Sequence, residues 1–171
     1  MSNLGPGEKA PEIVNAFIEI PQGGTVKYEL DKESGVLFVD RFMFTAMYYP
    51  TNYGFIPGTL GEDGDPLDIL VLSSQPIING AVVPARVIGY LEMEGESGID
   101  TKLIAVAPEK IDPEFGVYKD ISDVSDATKN KIKHFFDHMK ELEPGKWVKT
   151  KEFKGREEAM EQVKKGIAAY K

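Results

Sequence analysis

Three aspartates fall within six residues in Gly61-Glu-Asp-Gly-Asp-Pro-Leu-Asp68, and the chain then runs directly into the apolar stretch Ile69-Leu-Val-Leu72. Gly64 and Pro66 specify a tight turn, and the apolar run after it reads as a buried strand. Any fold that accepts this stretch must carry Asp63, Asp65 and Asp68 at the mouth of a rigid strand. There the carboxylates repel one another unless a cation gathers them. Taken alone, such a cluster reads as a solvated acidic turn, so the rest of the chain has to decide its meaning.

The chemistry open to that turn is narrow. The chain has no cysteine, which excludes disulfides, thiolate metal sites and a cysteine nucleophile. Its only two histidines, His134 and His138, argue against a His-rich zinc site. A metal here must be held by oxygen, which points to magnesium, manganese or calcium. A formal net charge of −8 argues against a general affinity for nucleic acid or anionic membranes. The first residues, Met-Ser-Asn-Leu-Gly-Pro-Gly-Glu, lack a basic region followed by an apolar core, and no long apolar run follows. A cytoplasmic protein with no membrane partner is expected. Its 171 residues suit one domain spanning 1–171, with a single sizeable core.

Strand periodicity dominates the first two thirds. Val14, Ala16, Ile18 and Ile20 alternate with Asn15, Phe17 and Glu19, placing Glu19 on the face opposite the isoleucines. Val26, Tyr28 and Leu30 alternate with Lys27 and Glu29, and Asp31-Lys-Glu-Ser-Gly35 turns the chain into Val36–Arg41, so a hairpin is expected. Tyr48–Gly54 reads as a long aromatic loop, and 81–91 and 102–107 as further strands. The last third changes to helical spacing. Ile132, Phe135, Phe136, Met139 and Leu142 mark an amphipathic helix, capped by Ser125 or Asp126 and ended by Pro144-Gly145. Lys146–Thr150 adds a strand, and Ala159, Met160, Val163, Ile167 and Tyr170 mark a closing helix. Short strands followed by two helices predict an α+β fold, a small twisted barrel with helices packed outside.

Polar residues recur where strand faces and ends would present them. Glu19, Lys27, Glu29 and Arg41 come from successive β segments, and Asp100 and Lys102 flank the start of another. Each alone is ordinarily a solvated position. Together with the acidic turn they form a set in which carboxylates can hold hard cations while lysines and arginine hold phosphoryl oxygens. Paired metals would supply hydroxide and clamp an in-line phosphoryl displacement. Tyr49 and Tyr53 can donate hydrogen bonds to phosphate without adding charge. Competing motifs fail on spacing. An EF-hand loop from Asp63 needs an oxygen ligand, a glycine and a glutamate where the chain has Leu67, Asp68 and Ser74. No phosphate-binding P-loop occurs, and the glutamate that a Nudix box needs ahead of Arg156 is Val148. His134 and His138 flank a buried helix face rather than forming a ligand pair.

These stretches resemble the soluble family I inorganic pyrophosphatases of bacteria and archaea. The match runs through Ile18-Glu-Ile-Pro21, Lys27–Gly35, Val39-Asp-Arg41, Tyr49-Pro-x-Asn-Tyr-Gly54, Asp63-Gly-Asp-Pro-Leu-Asp68 and Asp100-Thr-Lys102. It continues through His134-Phe-Phe136 and Lys140–Trp147, nearly the whole chain. The resemblance implies magnesium-dependent hydrolysis of pyrophosphate to two phosphates, with manganese as a possible substitute metal. It implies that Asp63, Asp68 and Asp100 hold a first metal, that Asp68 shares a second, and that Asp65 is the general base for the water between them. Lys27 and Tyr53 would contact the phosphoryl group under attack. Arg41 and Lys140 would hold the leaving phosphate, with Lys102 nearby and Tyr49 lining the site. Glu19 and Glu29 would bind further magnesium arriving with substrate. The implied fold is a five-stranded OB-like barrel with two helices outside, assembled as a homohexamer.

Two positions depart from the family pattern. Gly95 stands where the family has a metal-binding aspartate, with Glu94 and Glu96 on either side. Met139 replaces a tyrosine that binds the leaving phosphate. They motivate an alternative, a catalytically weakened homologue that binds phosphate or metal or serves as an assembly subunit. A third class, an OB-type nucleic-acid binder, conflicts with the net charge of −8.

Overall fold

The computed structural model describes residues 4–170. Eight strands form: β1 Ile13–Ile20, β2 Val26–Asp31, β3 Val36–Phe42, β4 Asn52–Phe55, β5 Asp68–Leu72, β6 Val82–Gly95, β7 Gly98–Val106 and β8 Val148–Lys154. Two helices follow the same numbering, α1 Asp126–His138 and α2 Arg156–Ala169. Strands pair in the order β1-β4-β5-β7-β6-β8, and β1 also pairs with β6. That second pairing closes β1, β4, β5, β7 and β6 into a five-stranded ring, the OB-like barrel implied by the sequence, and leaves β8 as an extension of β6. Closure removes the exposed sheet edges that these five strands would otherwise carry. Among the described residues no helix is long and apolar enough to cross a membrane.

Alternation along the ring strands sends side chains to opposite faces, and each face meets one helix. Ile69, Val71, Leu103 and Ala105 pack with Ala159 and Val163 of α2. Leu70, Leu72, Ile104 and Val106 pack with Ile132, Phe135 and Phe136 of α1. β5 and β7 are the parallel pair, in a register that sets Asp68 opposite Lys102. The β2–β3 hairpin forms as expected and covers the second face of β1. Phe17 packs there with Leu30 and Phe55, so β1 is buried on both sides and Glu19 is enclosed as well.

Several expected boundaries shift. The aromatic stretch 48–54 is not all loop: residues 52–55 form β4, paired with β1 and β5. Gly54 allows this, because a Cβ there would lie 1.8 Å from the Phe17 carbonyl oxygen. β6 and β7 extend beyond 81–91 and 102–107 to meet in a hairpin, where Gly95 pairs with Gly98 across a turn of Glu96 and Ser97. Gly98 has φ +107, which accounts for a glycine at that corner. The last expected strand runs over 148–154 rather than 146–150. Ser125 caps α1 through Thr128 N–H, but the helix ends at His138, before Pro144-Gly145. Met139 takes the C-cap, the turns after it leave Leu142 exposed, and Lys140 comes to face the cleft. Tyr170, expected on the apolar stripe of α2, is the exposed C-cap.

Candidate active site

All twelve polar residues singled out from the sequence line one cleft of about 320 Å³. β1 supplies Glu19, the hairpin Lys27, Glu29 and Arg41, and the β4 region Tyr49 and Tyr53. The acidic turn adds Asp63, Asp65 and Asp68, β7 adds Asp100 and Lys102, and the turn after α1 adds Lys140.

The acidic wall is built on the ring. Lys102 is buried and aims its ammonium between Asp68 at 2.6 Å and Asp100 at 2.9 Å, while the Tyr53 hydroxyl accepts from it at 3.0 Å. Burial works against the lysine charge, but Asp68, Tyr53 and Asp100 outweigh it and hold the group well above its ordinary pKa. Burial pushes Asp68 up, an effect that Lys102 only partly offsets and that Asp100 and Asp63 add to. Glu19 is pushed up to about 7, first by burial and then by Asp68 and Glu29, although Leu30 N–H donates to its carboxylate at 2.8 Å. Tyr49 and Tyr53 are held protonated by burial, so both remain donors. The turn itself is closed by Gly61 N–H donating to the Asp65 carbonyl at 2.7 Å and Asp65 N–H to Asp63 Oδ1 at 3.0 Å. Gly64, at φ +87, occupies its left-handed corner.

The basic wall is more exposed. Lys27 and Arg41 face each other directly across β2 and β3, and a bulge leaves Asp40 between them. Asp40 accepts from Lys27 at 3.1 Å and Arg41 at 3.0 Å, which relieves the like-charge pair. Slight burial raises the Asp40 pKa, but both cations outweigh it and the net shift is downward. Arg41 also pairs with Glu143, and Lys140 approaches Glu96 at 3.9 Å.

A family model described as inorganic pyrophosphatase matches residues 16–171. The inorganic pyrophosphatase of Aquifex pyrophilus is 57% identical over 99% of this chain and 96% of its own length. That of Aeropyrum pernix is 52% identical over 98% and 96%. The chain belongs to the inorganic pyrophosphatase family. The crystal structure of the Thermus thermophilus inorganic pyrophosphatase agrees with the fold at TM-score 0.95, with 47% identity over 99% of this chain and 97% of that one.

Against the family pattern, the two departures acquire geometry. Gly95 sits in the β6 ladder opposite Val148 of β8, and a Cβ there would stand 2.9 Å from the Trp147 carbonyl oxygen. An aspartate therefore does not fit without moving the start of β8. Glu94 turns away to Lys151 at 3.0 Å, whereas Glu96 stays on the Lys140 side and accepts Trp147 N–H at 3.2 Å. Met139 is buried with Tyr49 and Phe135 and lines the cleft with an apolar thioether.

Asp63, Asp68 and Asp100, the expected first metal site, do not stand as a closed cluster. Among the described residues no three carboxylate or imidazole groups form a ready-made metal centre. Their chemistry still fits a hard cation. The carboxylates lining the cleft offer hard oxygen donors, the histidines pack against each other on α1 away from it, and Asp68 and Glu19 are raised chiefly by burial and further by neighbouring carboxylates, whose charge a cation would offset. Sequence reasoning missed Asp40, Glu143 and Glu96 as partners of the bases. The available signal was an acid beside Arg41 and two more flanking Lys140 and Gly95.

Proposed function

We infer that the chain hydrolyses inorganic pyrophosphate to two phosphates. The observation that supports this most directly is the convergence of carboxylates and cationic side chains on one cleft, in a member of this family. Asp63, Asp68 and Asp100 would hold divalent cations, with Glu19 and Glu29 holding more when substrate arrives. Magnesium is the expected ion and manganese a substitute. Bound there, such cations would acidify a water and screen the four negative charges of pyrophosphate.

The side chains then divide the work. Asp65, exposed at the tip of the turn, takes the proton from the attacking water. Lys27 and Tyr53 donate hydrogen bonds to the phosphoryl group whose bridging P–O bond breaks. Arg41 and Lys140 neutralise the charge that develops on the leaving phosphate, while Lys102 stands on the acidic wall between Asp68 and Asp100. Tyr49, protonated and buried, shapes the wall behind them. The carboxylates now paired with Arg41 and Lys140 are the same kind of acceptor that phosphoryl oxygens would provide, so substrate can replace them.

Steady-state release of phosphate from pyrophosphate across a range of magnesium concentrations tests the reading. Hydrolysis that requires magnesium and stops with chelator is expected, and none at any concentration would overturn it. We further propose that residues 1–171 act as one domain, in the cytoplasm, as a homohexamer. In support of self-association, β3 leaves Val36, Phe38, Val39 and Phe42 more than half exposed. Light scattering of the purified chain would give six times the 18.9 kDa subunit mass.

A further inference from the structure

The acidic turn is gripped from behind by a residue that no sequence pattern marked. Gly166 lies within α2 on its buried face, in line with Ala159 and Val163. Helix propensity opposes glycine there, and the surroundings supply the reason. A Cβ at 166 would stand 2.5 Å from Leu67 Cδ1, 2.9 Å from Leu67 Cγ and 3.3 Å from Thr59 Cβ. The Gly166 carbonyl belongs to the last turn of α2, where carbonyls lack helical partners, and it accepts Leu60 N–H at 3.0 Å.

Thr59 completes the clamp. Its hydroxyl donates to the Ile56 carbonyl at 2.6 Å and accepts Leu67 N–H at 3.0 Å, while Ile56 N–H donates to the Leu67 carbonyl at 2.9 Å. Leu60 immediately precedes the turn, and Leu67 sits between Pro66 and Asp68. Both ends of the turn are therefore seated on α2 at the level of Gly166. Because the Leu67 backbone is fixed at both its N–H and its carbonyl, a push on its side chain passes into its neighbours.

We propose that Gly166 is a positioning residue for the acidic turn: lacking a side chain, it lets Leu67 sink against α2 and so sets where the next residue, Asp68, stands. This rests on the reading of the turn as cation-binding. The test compares wild type, Gly166→Ala, Leu67→Val and the double variant. Each is titrated with manganese by calorimetry and assayed for pyrophosphate hydrolysis against magnesium.

Gly166→Ala should bind manganese about tenfold more weakly, as when the outer support of a ligand is disturbed. Half-saturating magnesium should rise in step, with kcat at saturating metal changed by less than about twofold. Leu67→Val removes roughly the methyl that alanine adds and should restore binding in the double variant. Wild-type manganese affinity in Gly166→Ala would overturn the proposal, as would an equal loss in both Leu67 backgrounds. Should Gly166→Ala fail to fold, the double variant against Leu67→Val carries the same comparison: a neutral or favourable effect of the added methyl supports the proposal, and a further loss overturns it. A wild-type protein that binds manganese without hydrolysing pyrophosphate overturns the functional reading alone. One that binds no manganese overturns both.

Discussion

The two walls of the cleft are built on different principles. Asp68, Asp100 and Lys102 sit on adjacent strands of the closed ring, and the parallel β5–β7 register fixes their spacing. Lys27 and Arg41 stand on a two-stranded hairpin outside that ring, and Lys140 on the turn after α1. On the acidic wall it is the cation that is buried: Lys102 lies between the partly exposed Asp68 and Asp100 and cannot leave without stranding their charge. On the basic wall, Asp40, Glu143 and Glu96 meet the cations at partly exposed positions, where exchange for a phosphoryl oxygen costs little. One wall is held by a cation that is trapped, and the other carries cations that are accessible.

Asp65 should separate chemistry from architecture most sharply. It belongs to the acidic wall, yet its side chain is exposed, and it is its backbone carbonyl that closes the turn. Asp65→Asn should lower kcat by about 10²- to 10⁴-fold, the usual contribution of a positioned general base. The circular dichroism spectrum and Tm should stay at wild-type values. Undiminished kcat would remove Asp65 from the proposed mechanism.

Lys102→Met tests the trapped charge. Without the ammonium, Asp68 and Asp100 face each other with no counter-ion, and the metal-free protein should lose about 3 kcal/mol, the lower part of the range for breaking a buried pair. Adding magnesium should recover part of that loss, read as a larger metal-induced rise in Tm than in wild type. Arg41→Met should leave metal-free stability within about 0.5 kcal/mol, since Arg41 and Asp40 are partly exposed and Glu143 keeps Lys146 at 3.6 Å. Equal losses in urea titrations of the two variants would erase the distinction between the walls.

Gly95→Asp probes whether position 95 can take the carboxylate that the sequence resemblance leads one to expect there. The 2.9 Å approach of a Cβ to the Trp147 carbonyl makes it a crowding substitution before it is a metal ligand. It should destabilise by about 1–3 kcal/mol, as overpacking does, with no gain in magnesium affinity. Tighter magnesium binding at unchanged stability would show that the start of β8 yields readily.

Much of this was readable from residue order because local rules and tertiary outcome agree. Alternation gave β1 and the hairpin, and Ser125 gave the start of α1. The polar set was legible for the same reason, since carboxylates and bases on successive strand faces have few bland explanations together. β4 was missed because four residues containing Gly54 carry almost no periodicity, and its reason to exist is the Phe17 carbonyl lying against it. Leu142 continued the spacing of α1 on paper, but the turns after Met139 break the helix first. The facing of Asp68 and Lys102 depends on a parallel pairing between distant segments, which no local pattern encodes. Gly166 was invisible because its partner, Leu67, lies about a hundred residues away.

The smallest expected effect on the cleft comes from a control on both walls. Asp120 joins the short 3₁₀ turn at Ile121–Asp123 to α2, accepting Arg156 N–H at 2.9 Å and Ser122 N–H at 3.1 Å. α2 has Gly155 at its N-cap and no capping side chain of its own, so Asp120 fills that role from a distance. The Arg156 N–H bond, ahead of slight burial that opposes it, and the Ser122 bonds hold its carboxyl below the ordinary value of 3.8. A depressed carboxyl favours the folded state above its unfolded pKa, and that stabilisation fades as pH falls through the folded value. Asp120→Ala should therefore cost about 0.5–2 kcal/mol at neutral pH, as lost caps do. Below about pH 3.8 the gap from wild type should narrow, because the carboxylate it removes is then being protonated anyway. Half-saturating magnesium should not change. Were it to rise, α2 would be transmitting its seating to the acidic turn along its whole length, and the rigidity of the acidic wall would belong to the helix as much as to the ring.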